Sequence, residues 1–172
     1  MTGVVLETER LVLRPPVAED LAPWVAFLSS DRGRWHGGGS EGGAGRAWRI
    51  VAILMGHWQL TGFGVFVCVE RATGRALGAV GPFFPVDWPE RELGWSIWAP
   101  ADEGHGYAAE AGRAVIAHAA RDLAWDTLVS YVDPANTRSC ALAERLGARR
   151  DPKAARPEPG DLVYRHDLKA AA

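Results

Sequence analysis

The run from Glu92 to Glu110 constrains the fold more than any other part of the chain. Glu92-Leu93-Gly94-Trp95-Ser96-Ile97-Trp98 alternates with the period of a strand and stops at Pro100. After Gly104-His105-Gly106, the residues Ala108, Ala111, Val115, Ala119 and Leu123 keep helical spacing for about four turns. A strand that feeds through glycines into a long helix aims free backbone N–H groups, and the positive end of the helix dipole, at one spot where an anion is stabilised. A dinucleotide-binding fingerprint needs G-x-G-x-x-G, and Ala109 stands where its last glycine belongs. Spacing alone therefore also describes a plain strand-to-helix turn.

Around this junction the rest of the chain alternates between two periods. Leu11 to Leu13 reads as an early strand closed by Pro15-Pro16, and Leu21, Trp24, Val25 and Leu28 predict a helix over about residues 18–30. Gly37 to Gly45 reads as a flexible, glycine-dense connection; no Lys-Ser or Lys-Thr follows it, so a phosphate-binding P-loop fails on chemistry. A second helical stripe follows at Ala47, Val51, Leu54 and Trp58. Val65, Val67 and Val69 then alternate with Phe66 and Cys68, and a turn at Glu70 to Gly74 predicts a hairpin to Ala76–Val80. Leu128 to Val132 is another strand, Asn136 to Leu146 a helix stopped by Gly147, and Leu162 to Tyr164 a last strand beyond a Pro-rich loop. This order predicts an α+β sheet covered by helices in one domain over residues 1–172.

Composition removes several classes of function. The apolar share of 48% and charged share of 23% belong to a folded globular chain, and a formal charge of -2 offers no broad phosphate-backbone footprint for nucleic acid. Cys68 and Cys140 form neither a disulfide framework nor a zinc-spaced cluster, which points to a reducing cytoplasm and no metal. Met1-Thr2-Gly3-Val4-Val5-Leu6 lacks the basic start and apolar run of a secretion signal, and no segment reaches the ~20 apolar residues of a membrane helix. Eight tryptophans in one domain mostly mean core, with one or two of Trp35, Trp88, Trp95 and Trp98 reaching a pocket. Tryptophans left exposed would favour a homodimer.

A second informative piece is Asp133-Pro134-Ala135-Asn136-Thr137-Arg138-Ser139, followed by Cys140 to Gly147. Locally, Asn136 is a good N-cap and Ser139 an ordinary first-turn residue. Taken together with Leu6 to Arg14, Glu92-Leu93-Gly94-Trp95 and Gly104 to Ala111, this piece resembles the GNAT superfamily of N-acetyltransferases over nearly the whole chain. The likeness is greatest to its RimJ/RimL-like ribosomal-protein acetyltransferase branch.

The resemblance implies an acyl-CoA N-acyltransferase fold, a mixed and mostly antiparallel sheet splayed between two parallel strands and flanked by helices. The splayed strands would hold Trp95 to Trp98 and Leu128 to Val132, with the pantetheine arm between them. Acetyl-CoA would be the cosubstrate. Its binding residues would be Trp95, Ile97, Trp98, Gly104, His105, Gly106, Tyr107, Ala108, Ala109, Asn136 and Ser139, with the pyrophosphate on the Gly104 to Ala109 backbone. Glu103 and His105 depart from the basic or amide residues common there, and Ala148 replaces the usual aromatic after Leu-Gly.

For chemistry, the resemblance implies a bulged amide around Trp95 to Ile97 donating to the oxyanion. Ser139 would hydrogen-bond or protonate the departing sulfur, and Asn136 would hold the pantetheine region. Glu92 is the candidate base; it shares a nominal face with Gly94 and Ser96, although a strand-end carboxylate is usually exposed. Glu41, Asp87, Glu90 and a water chain are its rivals. His36 and Trp35 adjoin the loop that borders the acceptor pocket in the family, whereas His57, His118 and Cys140 read as packing. The function implied is direct transfer of acetyl to a primary amine, on a protein N-terminus or a small molecule. A catalytically silent acyl-CoA sensor is the alternative, and a nucleotide-binding protein using the Gly37 to Gly45 loop is a third reading.

Overall fold

The computed structural model describes residues 4–171. Met1 to Gly3, read above for a secretion signal, lie outside the described residues. The strands are β1 (Leu6–Glu7), β2 (Leu11–Arg14), β3 (Phe66–Glu70), β4 (Ala76–Phe83), β5 (Glu92–Ile97), β6 (Val129–Val132), β7 (Arg149–Arg150) and β8 (Leu162–Arg165). The α-helices are α1 (Leu21–Leu28), α2 (Gly43–Thr61), α3 (Tyr107–Arg121) and α4 (Thr137–Arg145). Among the described residues, the eight strands form one mixed sheet in the order β1-β2-β3-β4-β5-β6-β8-β7. The pair β5–β6 is parallel and the other pairs are antiparallel.

Strand alternation splits the core in two. Phe66 and Cys68 face α3, in a cluster with Leu11, Leu13, Leu93 and Val115. Val65 and Val67 face the other way, against Trp24, Leu28, Ala47 and Val51 of α1 and α2. The sheet is thus buried on both faces, which is why its central strands carry so little polar sequence. A smaller cluster at Val132, Ala143, Ala148 and Tyr164 seats α4, and here the small Ala148 is simply buried.

The glycine-dense segment is not the loose connection that its composition suggests. Short 3-10 turns form at Asp31–His36 and Ser40–Gly42, and α2 begins at Gly43, inside the segment. Gly39 N–H donates to the Leu28 carbonyl at 2.8 Å. A Cβ at Gly38 would lie 2.2 Å from that same oxygen. The glycines serve close packing of backbone on backbone, a demand that composition cannot distinguish from flexibility. Gly38→Ala is therefore expected to destabilise the fold by about 1–3 kcal/mol, read as a lowered denaturation midpoint.

Candidate active site

The junction that dominates the sequence folds as a cradle. Gly104 and Gly106 have φ of +80° and +82°, and Gly106 caps α3. The first helical bond runs from Glu110 N–H to the Gly106 carbonyl at 3.0 Å. The N–H groups from Gly106 to Ala109 therefore lack partners within the helix. Arg10 holds the turn from behind: it donates to the His105 carbonyl at 3.0 Å, pairs with Glu110 at 2.6 Å and stacks over the Tyr107 ring.

A groove of about 400 Å³ opens from this cradle, and Trp95, Ile97, Gly104, Gly106, Tyr107, Ala108, Ala109, Asn136 and Ser139 all line it. The two sequence pieces meet across it. Trp95 Nε1 on β5 donates to Ser139 Oγ on α4 at 3.2 Å, leaving the hydroxyl proton free to point elsewhere. Asn136 Oδ1 accepts the Ser139 N–H at 3.2 Å, so it does cap α4, while its residue also faces the groove.

Free amides arise here from strand separation. The β4–β5 register runs without interruption from Gly78–Ile97 to Phe83–Glu92. The bulge expected around Trp95 to Ile97 is absent; the shift lies instead in β3, at Cys68/Val69. Trp98 N–H donates to the Leu77 carbonyl, which sets the phase of the ladder. Even-numbered residues of β5 bond β4, and Leu93, Trp95 and Ile97 turn their peptide groups toward β6. Because β5 and β6 are in register only at Glu92–Val129, the Trp95 and Ile97 N–H groups open into the gap. Arg32 takes the Ile97 carbonyl at 2.7 Å.

Three expectations need correcting. Trp98 is not at the groove: as an even-numbered residue it points into the α1–α2 core, 5.3 Å from the Trp24 ring. The His105 ring is exposed, with Nε2 at 3.1 Å from the Ala101 carbonyl, and does not line the groove. Glu103 does not leave a bare carboxylate near the cradle, because Arg32 and Arg138 both pair with it. Burial alone would raise its pKa; the bonds from Arg138 and Arg32 outweigh that and hold it below the ordinary value.

Glu92 also differs from an exposed strand end. It is half-buried, and Trp88 Nε1 donates to its Oε2 at 2.6 Å. Desolvation pushes its pKa up to about 7, opposed by the Trp88 bond and assisted by the Asp161 charge. It does not line the groove; the strand phase puts it on the α1–α2 face of β5, the same face as Gly94. A Cβ built at Gly94 meets no atom within 4 Å, so β5 is open at that position. Among the rivals, Glu90 is held below its ordinary pKa by Arg165, and Asp87 and Glu41 are exposed. Burial lowers the His36 pKa to about 4, which leaves a neutral ring in the groove wall beside Trp35.

Residues 10–149 match the family model described as an acetyltransferase (GNAT) domain. The chain belongs to the GNAT acetyltransferase family. An acetyltransferase from Agrobacterium tumefaciens str. C58 is 37% identical to this GNAT domain, with a TM-score of 0.87 over 97% of this chain and 96% of that one. The ribosomal-protein-S5-alanine acetyltransferase from Vibrio fischeri shares the fold at 14% identity, TM-score 0.65, over 94% of each chain. So does AAC(6')-Ib solved with ribostamycin and coenzyme A, at 16% identity and TM-score 0.73 over 94% of this chain and 96% of that one.

GNAT acetyltransferases use acetyl-CoA, and the groove of this GNAT domain combines two features. It joins an anion cradle of backbone amides to a gap between two strands that is edged by unpaired N–H groups. Arg145 lines both this groove and a neighbouring polar hollow that also holds Arg10, Arg113, Glu9 and Glu110. Arg32, Arg138 and Arg145 carry no local sequence signal for such placement; Arg32 and Glu103 are 71 residues apart. Among the described residues no His, Cys, Asp and Glu cluster is arranged to hold a metal, and no helix is long and apolar enough to cross a membrane.

Proposed function

We propose that this GNAT domain, acting as one unit over residues 1–172, is a cytoplasmic N-acetyltransferase that moves acetyl from acetyl-CoA directly to a primary amine in a ternary complex. The observation that carries the reading is the meeting of Trp95 on β5 and Ser139 on α4 in the groove that also takes in the α3 cradle. In the proposed arrangement the amides of Gly106 to Ala109 receive the pyrophosphate, and the gap receives the pantetheine arm. Acetyl-CoA held there would supply an activated acyl carbon and a thiolate leaving group: the amine nitrogen forms the new C–N bond, and the C–S bond breaks as the oxyanion collapses.

Each remaining requirement falls to a residue. Glu92 accepts the proton that the ammonium form of the acceptor must lose. The Trp95 N–H faces the gap, where it stabilises the developing oxyanion. Ser139 keeps a free hydroxyl proton for the leaving sulfur, while Trp95 fixes the oxygen. A thiol of pKa ~8.5 leaves tolerably unaided, so Ser139→Ala is expected to lower kcat about tenfold without abolishing turnover.

The acceptor class stays open between a protein N-terminus and a small-molecule amine, since proteins of this fold include one named for a ribosomal protein and one solved with ribostamycin. Glu103 and an uncertain base motivate the silent acyl-CoA sensor. The pairing of Glu103 with Arg32 and Arg138 and the raised pKa of Glu92 support the enzyme reading instead. Acetyl-CoA calorimetry and a thiol-release assay across amines and N-terminal peptides separate the readings. Binding with acceptor-dependent CoA release is expected; binding without release over a broad panel favours the sensor.

A further inference from the structure

The parallel pair at the centre of the sheet stops after one rung, and a side chain stands where the second would form. Val129 N–H donates to the Arg91 carbonyl at 3.0 Å. On β6, His166 N–H bonds the Leu128 carbonyl, so even-numbered residues serve β8 while Val129 and Tyr131 turn toward β5. A parallel ladder repeats every two residues, and its next bond would run from Tyr131 N–H to the Leu93 carbonyl. Ser130 Oγ donates to that carbonyl instead, at 2.7 Å.

The hydroxyl is itself held. Ser130 is 1% exposed, and its oxygen lies 2.9 Å from Nε2 of His166, which is 4% exposed. The single Ser130 proton goes to Leu93, so His166 Nε2 carries a proton and donates. Burial lowers the His166 pKa to about 4, and its Nδ1 has no partner. The neutral ring leaves that nitrogen as a bare lone pair, a cost tolerated for a fixed tautomer.

We propose that Ser130, oriented by His166, is a positioning residue that keeps the fork between β5 and β6 open by occupying the Leu93 carbonyl. This rests on the reading that the gap above the fork receives the acyl arm of acetyl-CoA. Without the hydroxyl, Tyr131 N–H takes the vacant carbonyl and the strands zip by one rung. The gap then shortens by two residues, about 6–7 Å of strand. Trp95, the next residue of β5 whose N–H faces the gap, moves toward β6.

Ser130→Val and Ser130→Thr are near-isosteric and differ in the hydroxyl. In Ser130→Val, amide hydrogen exchange of Tyr131 is expected to slow at least tenfold, while Kd and KM for acetyl-CoA rise about tenfold and kcat changes less. Ser130→Thr restores wild-type exchange and affinity. A merely structural role predicts the reverse for the valine variant, faster exchange across the sheet, and that result or an unchanged Tyr131 amide overturns the proposal.

If Ser130→Val does not fold, the wild-type protein decides. Its Val129 amide must be protected and its Tyr131 amide at least tenfold less so; equal protection overturns the strut. Calorimetry on the wild-type protein keeps the two readings apart. Absence of acetyl-CoA binding sinks the functional reading, while the exchange pattern still tests the fork.

Discussion

Glu92→Gln is expected to lower kcat/KM for the amine acceptor by about 10²–10³-fold at pH 7.5, the range of a lost general base. The wild-type profile should rise with pH through about 7, because the carboxylate must be ionised to take a proton and desolvation has moved its pKa there. In the glutamine variant that limb disappears, and the Kd for acetyl-CoA stays within about twofold. Persistence of the limb in the variant would assign the titration to the acceptor amine or to a water chain, and Glu92 would be left as packing for Trp88.

The same shift has a consequence for stability with the opposite sign. A carboxyl whose pKa is raised from 4.5 to about 7 on folding binds more protons folded than unfolded in that interval. Stability therefore falls as pH rises from about 4.5 to 7. Glutamine has no proton to lose and still accepts from the Trp88 indole. Glu92→Gln should be more stable than wild type above pH 7 by about 1–2 kcal/mol, after allowing for water that screens a half-buried group, with the difference vanishing near pH 4.5. Denaturant unfolding of both proteins at pH 4.5 and 8 reads it directly. His36 and His166, both held near 4 by burial, tilt each protein's own curve the other way. They are common to the two proteins and cancel in the difference.

Local patterns foretold the elements that burial on alternate faces dictates. The alternation of Val65, Phe66, Val67 and Cys68 does split between two cores, and the stripe from Ala111 to Ala119 does bury α3. The two-residue β7 carries no such pattern, since Arg149 and Arg150 are both exposed and pair only because β8 lies alongside. Register was out of reach for the same reason. Which amides of β5 are free depends on where β6 leaves it, and a chain read locally carries no mark of that departure. Glu103 shows the limit for electrostatics: the unfavourable carboxylate was legible, but its two arginines come from positions 71 and 35 residues away.

Gly94→Leu is expected to cost acceptor turnover at least about 10²-fold while leaving the Kd for acetyl-CoA within about twofold. The strand phase puts residue 94 on the α1–α2 face with Glu92 and Ser96, whereas in the proposed arrangement the acyl arm would enter in the plane of the strands, from the gap beside Trp95. A Cβ at Gly94 meets no atom within 4 Å, and an amine approaching over that open position would be near Glu92 on the same strand face, as the proposed base requires. A leucine there fills the approach, and displacing an attacking nitrogen by ~1 Å already costs about 10²-fold. Its φ is not in the left-handed region, so Gly94→Ala makes a control that should stabilise by about 0.4–1 kcal/mol and keep the approach open. Equal losses in acetyl-CoA affinity and acceptor turnover would place the empty space on the cofactor's path, and the amine would then have to arrive from the Trp35–His36 side of the groove.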